Sequence, residues 1–353
     1  MVSSTSGTIN HVTFSSNENT MEAMTPSSVK FVPFLSNEER GAIAILNFVV
    51  ICGLVSLMGI VANVINIVVF AKLGFQDSMN ISLTGLAVSD LCSLLLMLWC
   101  SLNNNPVIDN FGLPAVPHDF VHLTGGWPHA CFVRITGCIT AFIAFERCLC
   151  IALPLKIKRI LTRRRTKITI VSIFILMICV FSPFYYSTRL SWVLDPVRNT
   201  SLLSITFAEE REIVDSIVFM IQGVIINTFT FITVICCTII LVIKLNSKTK
   251  WRQATACKGL GGKEEFGAKE KKVVKSVILI STIFIVCFMP AAVTFLAMFL
   301  EPEFNAGGKY ENLCIAAASF VFTMETVNSS VNIFVYLNMS SKYREMFMTI
   351  FKR

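Results

Sequence analysis

The sequence predicts an all-α protein: a seven-transmembrane helix bundle with a short amphipathic eighth helix. Two observations carry this. The chain is 54% hydrophobic and only 15% charged over 353 residues, with a mean hydropathy of +0.69, which is too apolar for an ordinary soluble domain. Its apolar residues also fall into seven runs, each supplying the roughly 20 residues that a helix needs to cross a hydrocarbon core.

The spans lie near 42–70, 80–102, 122–152, 167–188, 213–243, 273–300 and 313–337. The second carries a single ionisable carboxylate, Asp90, and the seventh a single one, Glu325. The third is the most charged, holding Arg134, Glu146 and Arg147. Residues 1–41 are rich in Ser, Thr and Asn and show no basic segment followed by an apolar run, so they read as a disordered extracellular tail rather than a cleaved leader. The membrane domain covers 42–338. Within 339–353, SKYREMFMTIF spaces its apolar and basic residues helically and suits the inner membrane surface, ahead of a short cytoplasmic tail. The polar, Gly-containing loop 246–272 reads as flexible.

A net charge of +8 invites a nucleic-acid reading, which its distribution rejects. With the amino terminus outside, the cytoplasmic segments 71–79, 153–167, 244–275 and 338–353 hold 22 of the 30 Lys and Arg, and the external segments hold six. This is the positive-inside asymmetry of a multi-pass plasma-membrane protein with its carboxy terminus in the cytoplasm. The run Arg163-Arg164-Arg165 then reads as a topology and lipid-headgroup signal. None of the thirteen cysteines falls in an external segment, so no disulfide is expected. Cys148/Cys150 and Cys236-Cys237 lack the second half of a zinc site.

Ionisable side chains in hydrocarbon are costly, so each is a functional candidate. Asp90 is either one polar packing residue or the centre of a cavity. With Asn63, Thr136, Asn328, Ser329 and Asn332 it would form a polar site for waters or a sodium ion, the one metal considered. At the end of the third span, Glu146 and Arg147 are either interfacial anchors or half of a latch closed by Glu270. Glu270 precedes Pro290 by twenty residues, about 30 Å of helix, which brings it to the inner face. Pro290 breaks the hydrogen-bond ladder of the sixth span and supplies a pivot. A buried ion pair adds little net stability but suits a bistable element.

These segments resemble the rhodopsin-like (class A) G-protein-coupled receptors over residues 42–350. GIVAN carries the family's first-helix Asn as Asn63, and LAVSD carries its second-helix Asp as Asp90. Glu146-Arg147-Cys148 with Ile151 and Pro154 resembles the Asp/Glu-Arg-Tyr motif and the loop after it. Phe284, Cys287, Phe288 and Pro290 resemble the sixth-helix motif, and Asn332 to Tyr336 the seventh-helix Asn-Pro-x-x-Tyr, followed by KYRE at the eighth-helix spacing. The resemblance implies a switch built on Glu146, Arg147, Glu270, Phe284, Phe288, Pro290, Asn332 and Tyr336. It also implies a heterotrimeric G protein as partner, with arrestin and a receptor kinase as further partners.

The departures are informative. The family's third-helix cysteine would fall near His122, and loop 189–215 has no cysteine to pair with it. Phe288 replaces the usual Trp, Cys148 the Tyr and Ile333 the Pro. FERCLCIALPLK with WPHAC upstream is similar to a divergent molluscan group of chemosensory receptors.

By the same resemblance the ligand lies in the outer half of the bundle. His129 stands where amine receptors keep an Asp, which disfavours a biogenic amine, and the seventh span has no Lys for a retinal Schiff base. Arg134 and Glu325 either pair with each other or meet a ligand. In the second case Arg134 takes a carboxylate, Glu325 takes an amine, and an amino acid or short peptide fits. Gln222, Asn227 and Phe288 are further lining candidates. Asn199 is the one glycosylation sequon placed outside, and Ser247, Thr249, Thr255 and Ser340 are exposed inside. A chemosensory receptor for a small molecule such as an amino acid is the leading expectation, and a neuropeptide receptor of the same fold is the alternative. A transporter or channel using Asp90, Glu325 and Arg134 as a path is weakened by the lack of an internal repeat. No enzyme site and no resident cofactor are expected.

Overall fold

The computed structural model describes residues 34–105, 120–152, 161–195, 200–255, 264–305 and 307–351, all in one compact unit, Phe34–Arg353. Seven of its helices are long and apolar enough to cross a membrane. The first, α1 (Asn37–Leu73), starts at a capping box. The Ser36 hydroxyl accepts from the Glu39 amide at 3.2 Å, and the Glu39 carboxylate accepts from the Ser36 amide at 2.9 Å. It stops at Gly74, whose φ of +80° suits a residue without Cβ. Asp77 then caps α2 (Ser78–Asn103) by accepting from the Met79 amide at 3.1 Å.

The central helix is α3 (His122–Ala152), and α4 (Arg163–Ser187) follows, capped by Thr162. Next come the strands β1 (Thr188–Asp195) and β2 (Thr200–Phe207). The span α5 (Arg211–Ser247) continues as helix to Thr255. Then α6 (Glu264–Leu300) contains Pro290 in its interior, α7 (Glu311–Met339) is the last span, and α8 (Ser341–Phe351) ends the described chain. Short π-helical segments interrupt α1 at Ile45–Ile51, open α3 at His122–Gly126 and interrupt α5 at Met220–Ile226.

The helices form a ring in which α1 packs on α2 and α7, α5 on α6, and α6 on α7. Within it α3 touches α2, α4, α5 and α6. One close approach fixes the seam between α1, α2 and α7. A Cβ on Gly59 would lie 2.2 Å from the Ser330 hydroxyl and 2.8 Å from Leu94, so only glycine fits there without displacement. The outward faces remain apolar, with Leu54, Met58 and Val61 at least 60% exposed, as a lipid-facing surface requires.

Two features depart from the sequence reading. Loop 189–215 was not expected to contain strands, yet β1 and β2 form an antiparallel hairpin in which Trp192 faces Leu203. Trp, Val, Leu, Ile, Thr and Phe dominate both arms, and such side chains fit a pleated surface. The polar segment 246–272 is helical at both ends, because α5 runs on to Thr255 and α6 begins at Glu264. Its Lys, Glu and Ala are good helix formers that extend helices already nucleated in the bundle.

Candidate functional site

The interior of the bundle is polar along α3. Arg134 is only 6% exposed and donates to Glu325 Oε1 on α7 at 3.1 Å. Its other terminal nitrogen donates to Asn227 Oδ1 on α5, and its guanidinium carbon lies 5.2 Å from the centroid of Phe295 on α6. One side chain therefore ties α3 to three neighbours. Five residues earlier, His129 is fully buried, and its Nδ1 donates to the Ser93 carbonyl at 3.0 Å. A carbonyl only accepts, so in the neutral ring Nε2 carries the lone pair. That nitrogen has no hydrogen-bond partner and lies 4.0 Å from Glu325 Oε2. Two acceptors thus converge, and among the described residues no side chain donates between them. Gln222, in the π-helical segment of α5, is also buried with both amide atoms unpaired, one π turn before Asn227.

A second network lies deeper towards the α8 end. Asp90 accepts from Thr136 Oγ1 at 2.8 Å and from Asn332 Nδ2 at 2.9 Å, and the Ser329 side chain lies beside the same carboxylate. Thr136 in turn meets Ser89 at 2.9 Å. Asn63 donates to the backbone carbonyls of Gly59 and Ser329 at 2.9 and 2.8 Å, tying α1 to α7. Asn66 donates to Asn63 at 3.3 Å and accepts from the Tyr343 hydroxyl at 2.6 Å, which carries the network to α8. Asn328 is buried beside it.

At the α8 end of α3, Glu146 is fully buried, with Arg147 Nη 3.3 Å from its carboxylate. The same carboxylate accepts from Ser78 and, at 3.3 Å, from Ser82 on α2. Phe70, Tyr336 and Tyr343 form a triangle of rings with centroids 5.2–5.4 Å apart. Phe284 and Phe288 stack at 4.1 Å on α6, six and two residues before Pro290. At the opposite end Trp127 of α3 stacks on Phe184 of α4 at 3.7 Å, and Tyr185 donates to the Leu123 carbonyl at 3.3 Å.

The sequence profile described as 7 transmembrane receptor (rhodopsin family) matches residues 62–336, well over half of the chain. The protein belongs to the rhodopsin family. No curated protein matches it. Rhodopsin-family proteins are receptors, not enzymes, and in general they bind extracellular ligands and G proteins. With seven membrane-length apolar helices, the chain is a multi-pass membrane protein.

In this rhodopsin-family bundle the expected site residues gather into coherent groups. Asn63, Asp90, Thr136, Ser329 and Asn332 share one network, and Arg134, Glu325, Asn227 and His129 share another. Of the two readings of Arg134 and Glu325, the direct pair is the one seen. Glu146 and Arg147 are paired, whereas the Glu270 side chain and Asn199 lie outside the described residues, and with them the expected latch and glycosylation site. Sequence reasoning missed Ser78 and Ser82, four residues apart on one face of α2, and Asn66, three residues after Asn63. Helical spacing would have placed Asn66 beside Asn63 and Ser78 beside Ser82, but not the two serines beside Glu146, which lies on α3. Phe295 carried no signal.

Proposed function

We propose that the protein is a ligand-gated receptor for a small extracellular molecule carrying both an amine and a carboxylate, such as an amino acid, and that it activates a heterotrimeric G protein. The observation that carries this reading is the convergence of Glu325 Oε2 and the His129 Nε2 lone pair, 4.0 Å apart, with no donor between them among the described residues. An ammonium group supplies the missing donors. A carboxylate on the same molecule then replaces Glu325 as one partner of Arg134, whose fork has five donors, and accepts from the unpaired Gln222 amide. The ligand would thus exchange one internal ion pair for two, loosening α3 from α7.

The positive-inside asymmetry supports a cytoplasmic α8 end and an external hairpin end. There Arg147 would leave its carboxylate partners when α6 moves about Pro290, opening a crevice for the G protein and afterwards for arrestin. Asp90, Thr136 and Ser329 offer hard oxygen donors around one negative charge, which fits a sodium ion favouring the resting arrangement. We extend the proposal to a chemosensory role, which a small, charged ligand of this class would suit.

The test is a G-protein reporter assay in cells expressing the receptor, screened with amino acids and short peptides. Responses to an amino acid that Gln222→Ala weakens support the proposal, and Arg134→Ala serves as a loss-of-response control. A response confined to longer peptides favours the neuropeptide reading. The exposed apolar side chains of the hairpin, Trp192 at 65% and Leu194 at 61%, speak for that second reading. Substrate flux or current without a G protein would count against both.

A further inference from the structure

Phe75 and Gln76, in the turn between α1 and α2, and Arg163, Arg164, Lys167 and Ile168, in the first turns of α4, line a cleft of about 720 Å³. Arg163 donates to Gln76 Oε1 across it, joining the two walls. Among the described residues, three of the six lining side chains are cations and none is a carboxylate. The neighbouring Asp77 has its carboxylate engaged with the Met79 amide. Because α4 begins here, the positive end of its backbone dipole adds to the same field.

The lipid-facing surface next to this cleft is equally specific. Ile168, Val171, Ile175 and Ile178 are 53–58% exposed and recur every three or four residues, so they form one apolar stripe running along α4 from the cleft. A soluble anion would use only the cationic half of this arrangement. A lipid uses both, with its head among the guanidinium and ammonium groups and its chains along the stripe.

We propose that this cleft binds the phosphorylated headgroup of an anionic membrane lipid, with a multiply charged phosphoinositide preferred over a singly charged phospholipid. Three cations around one chamber are left undercompensated by a single phosphodiester, whereas phosphomonoesters on an inositol ring can meet them together. The site rests on the proposed cytoplasmic placement of the α8 end for its biological leaflet. Lipid nanodiscs expose both ends, however, so the binding test is independent of that placement.

The full-length receptor is reconstituted in phosphatidylcholine nanodiscs, and binding of labelled phosphatidylinositol bisphosphate, of phosphatidylserine and of soluble inositol trisphosphate is measured. The Arg164→Gln/Lys167→Gln variant is expected to weaken the phosphoinositide by about tenfold or more, since each basic residue near a charged surface contributes severalfold. The Lys342→Gln/Arg344→Gln variant, with two cations removed from α8, is expected to leave it unchanged, and Arg164→Lys/Lys167→Arg to retain it. Equal loss in the α8 variant would mean general charge attraction and overturn the proposal. Phosphatidylserine binding as tight as the phosphoinositide, or soluble inositol trisphosphate binding as tight as the lipid, would also overturn it. Matched thermal unfolding of the variants separates lost binding from lost folding.

Discussion

Arg134 and Glu325 stand 191 residues apart in sequence and 3.1 Å apart in the bundle, both almost fully buried. Such a pair contributes little net stability, but removing one member strands a charge at a cost of roughly 3–5 kcal/mol. Arg134→Leu and Glu325→Leu are each expected to lower the thermal unfolding temperature of the purified receptor strongly. Arg134→Leu/Glu325→Leu should recover most of the loss. Strictly additive losses in the double-mutant cycle would show that the two charges are not coupled.

The oxygen cluster around Asp90 makes a separate claim. Asp90→Asn keeps an acceptor for Thr136 but removes the negative charge. Any sodium-dependent rise in unfolding temperature or fall in agonist affinity should vanish in this variant when sodium is exchanged for choline. A sodium effect that survives the substitution would place the ion elsewhere.

Glu146 holds Arg147 while Ser78 and Ser82 hold Glu146. Glu146→Gln is expected to raise signalling without ligand. Ser78→Ala/Ser82→Ala, which keeps the charge but frees the carboxylate, should raise it by a smaller factor. Glu270→Ala is the parallel test for the expected partner on α6. Basal reporter activity at matched surface expression is the measurement, and unchanged activity in all three would remove the latch.

Steric fit can be tested at Gly59. The methyl group of Gly59→Ala meets the Ser330 hydroxyl at 2.2 Å and its Cβ at 2.9 Å, so α7 or α1 must shift, at about 1–3 kcal/mol for an overpacked site. Adding Ser330→Gly should return part of that stability in a thermal-shift assay. No return would mean that the contact with Leu94, at 2.8 Å, sets the limit instead.

Tyr343 anchors α8 through its hydroxyl, 2.6 Å from Asn66. Tyr343→Phe keeps the ring triangle with Phe70 and Tyr336 and loses one hydrogen bond, about 1 kcal/mol. Hydrogen exchange should accelerate in Ser341–Phe351 and not in α4. Uniform acceleration would mean a global rather than a local effect.

Much of this architecture was legible in the sequence because membrane burial writes itself into composition. Seven apolar runs gave seven helices, Pro290 lies inside α6, and the amphipathic stretch after Met339 became α8. Asp90 and Asn332 could be grouped in advance by their resemblance to a family pattern. The partners of Arg134 could not. The cost of burying a charge is local, but the residue that neutralises it is chosen by how α3, α5 and α7 are turned towards one another. The hairpin was missed for a different reason. Its arms are short and sit between long apolar runs, where alternation is easily taken for an irregular connection.

The stack of Trp127 on Phe184, with the Tyr185 bond to Leu123, joins α3 to α4 at the hairpin end by non-covalent contact. A joint of this kind responds to temperature and solvent, not to thiol reagents. The twelve described cysteines are free thiols, seven of them buried in a membrane domain. The receptor should therefore tolerate reductant throughout extraction and purification, and cooling or detergent choice will decide whether its hairpin end stays closed.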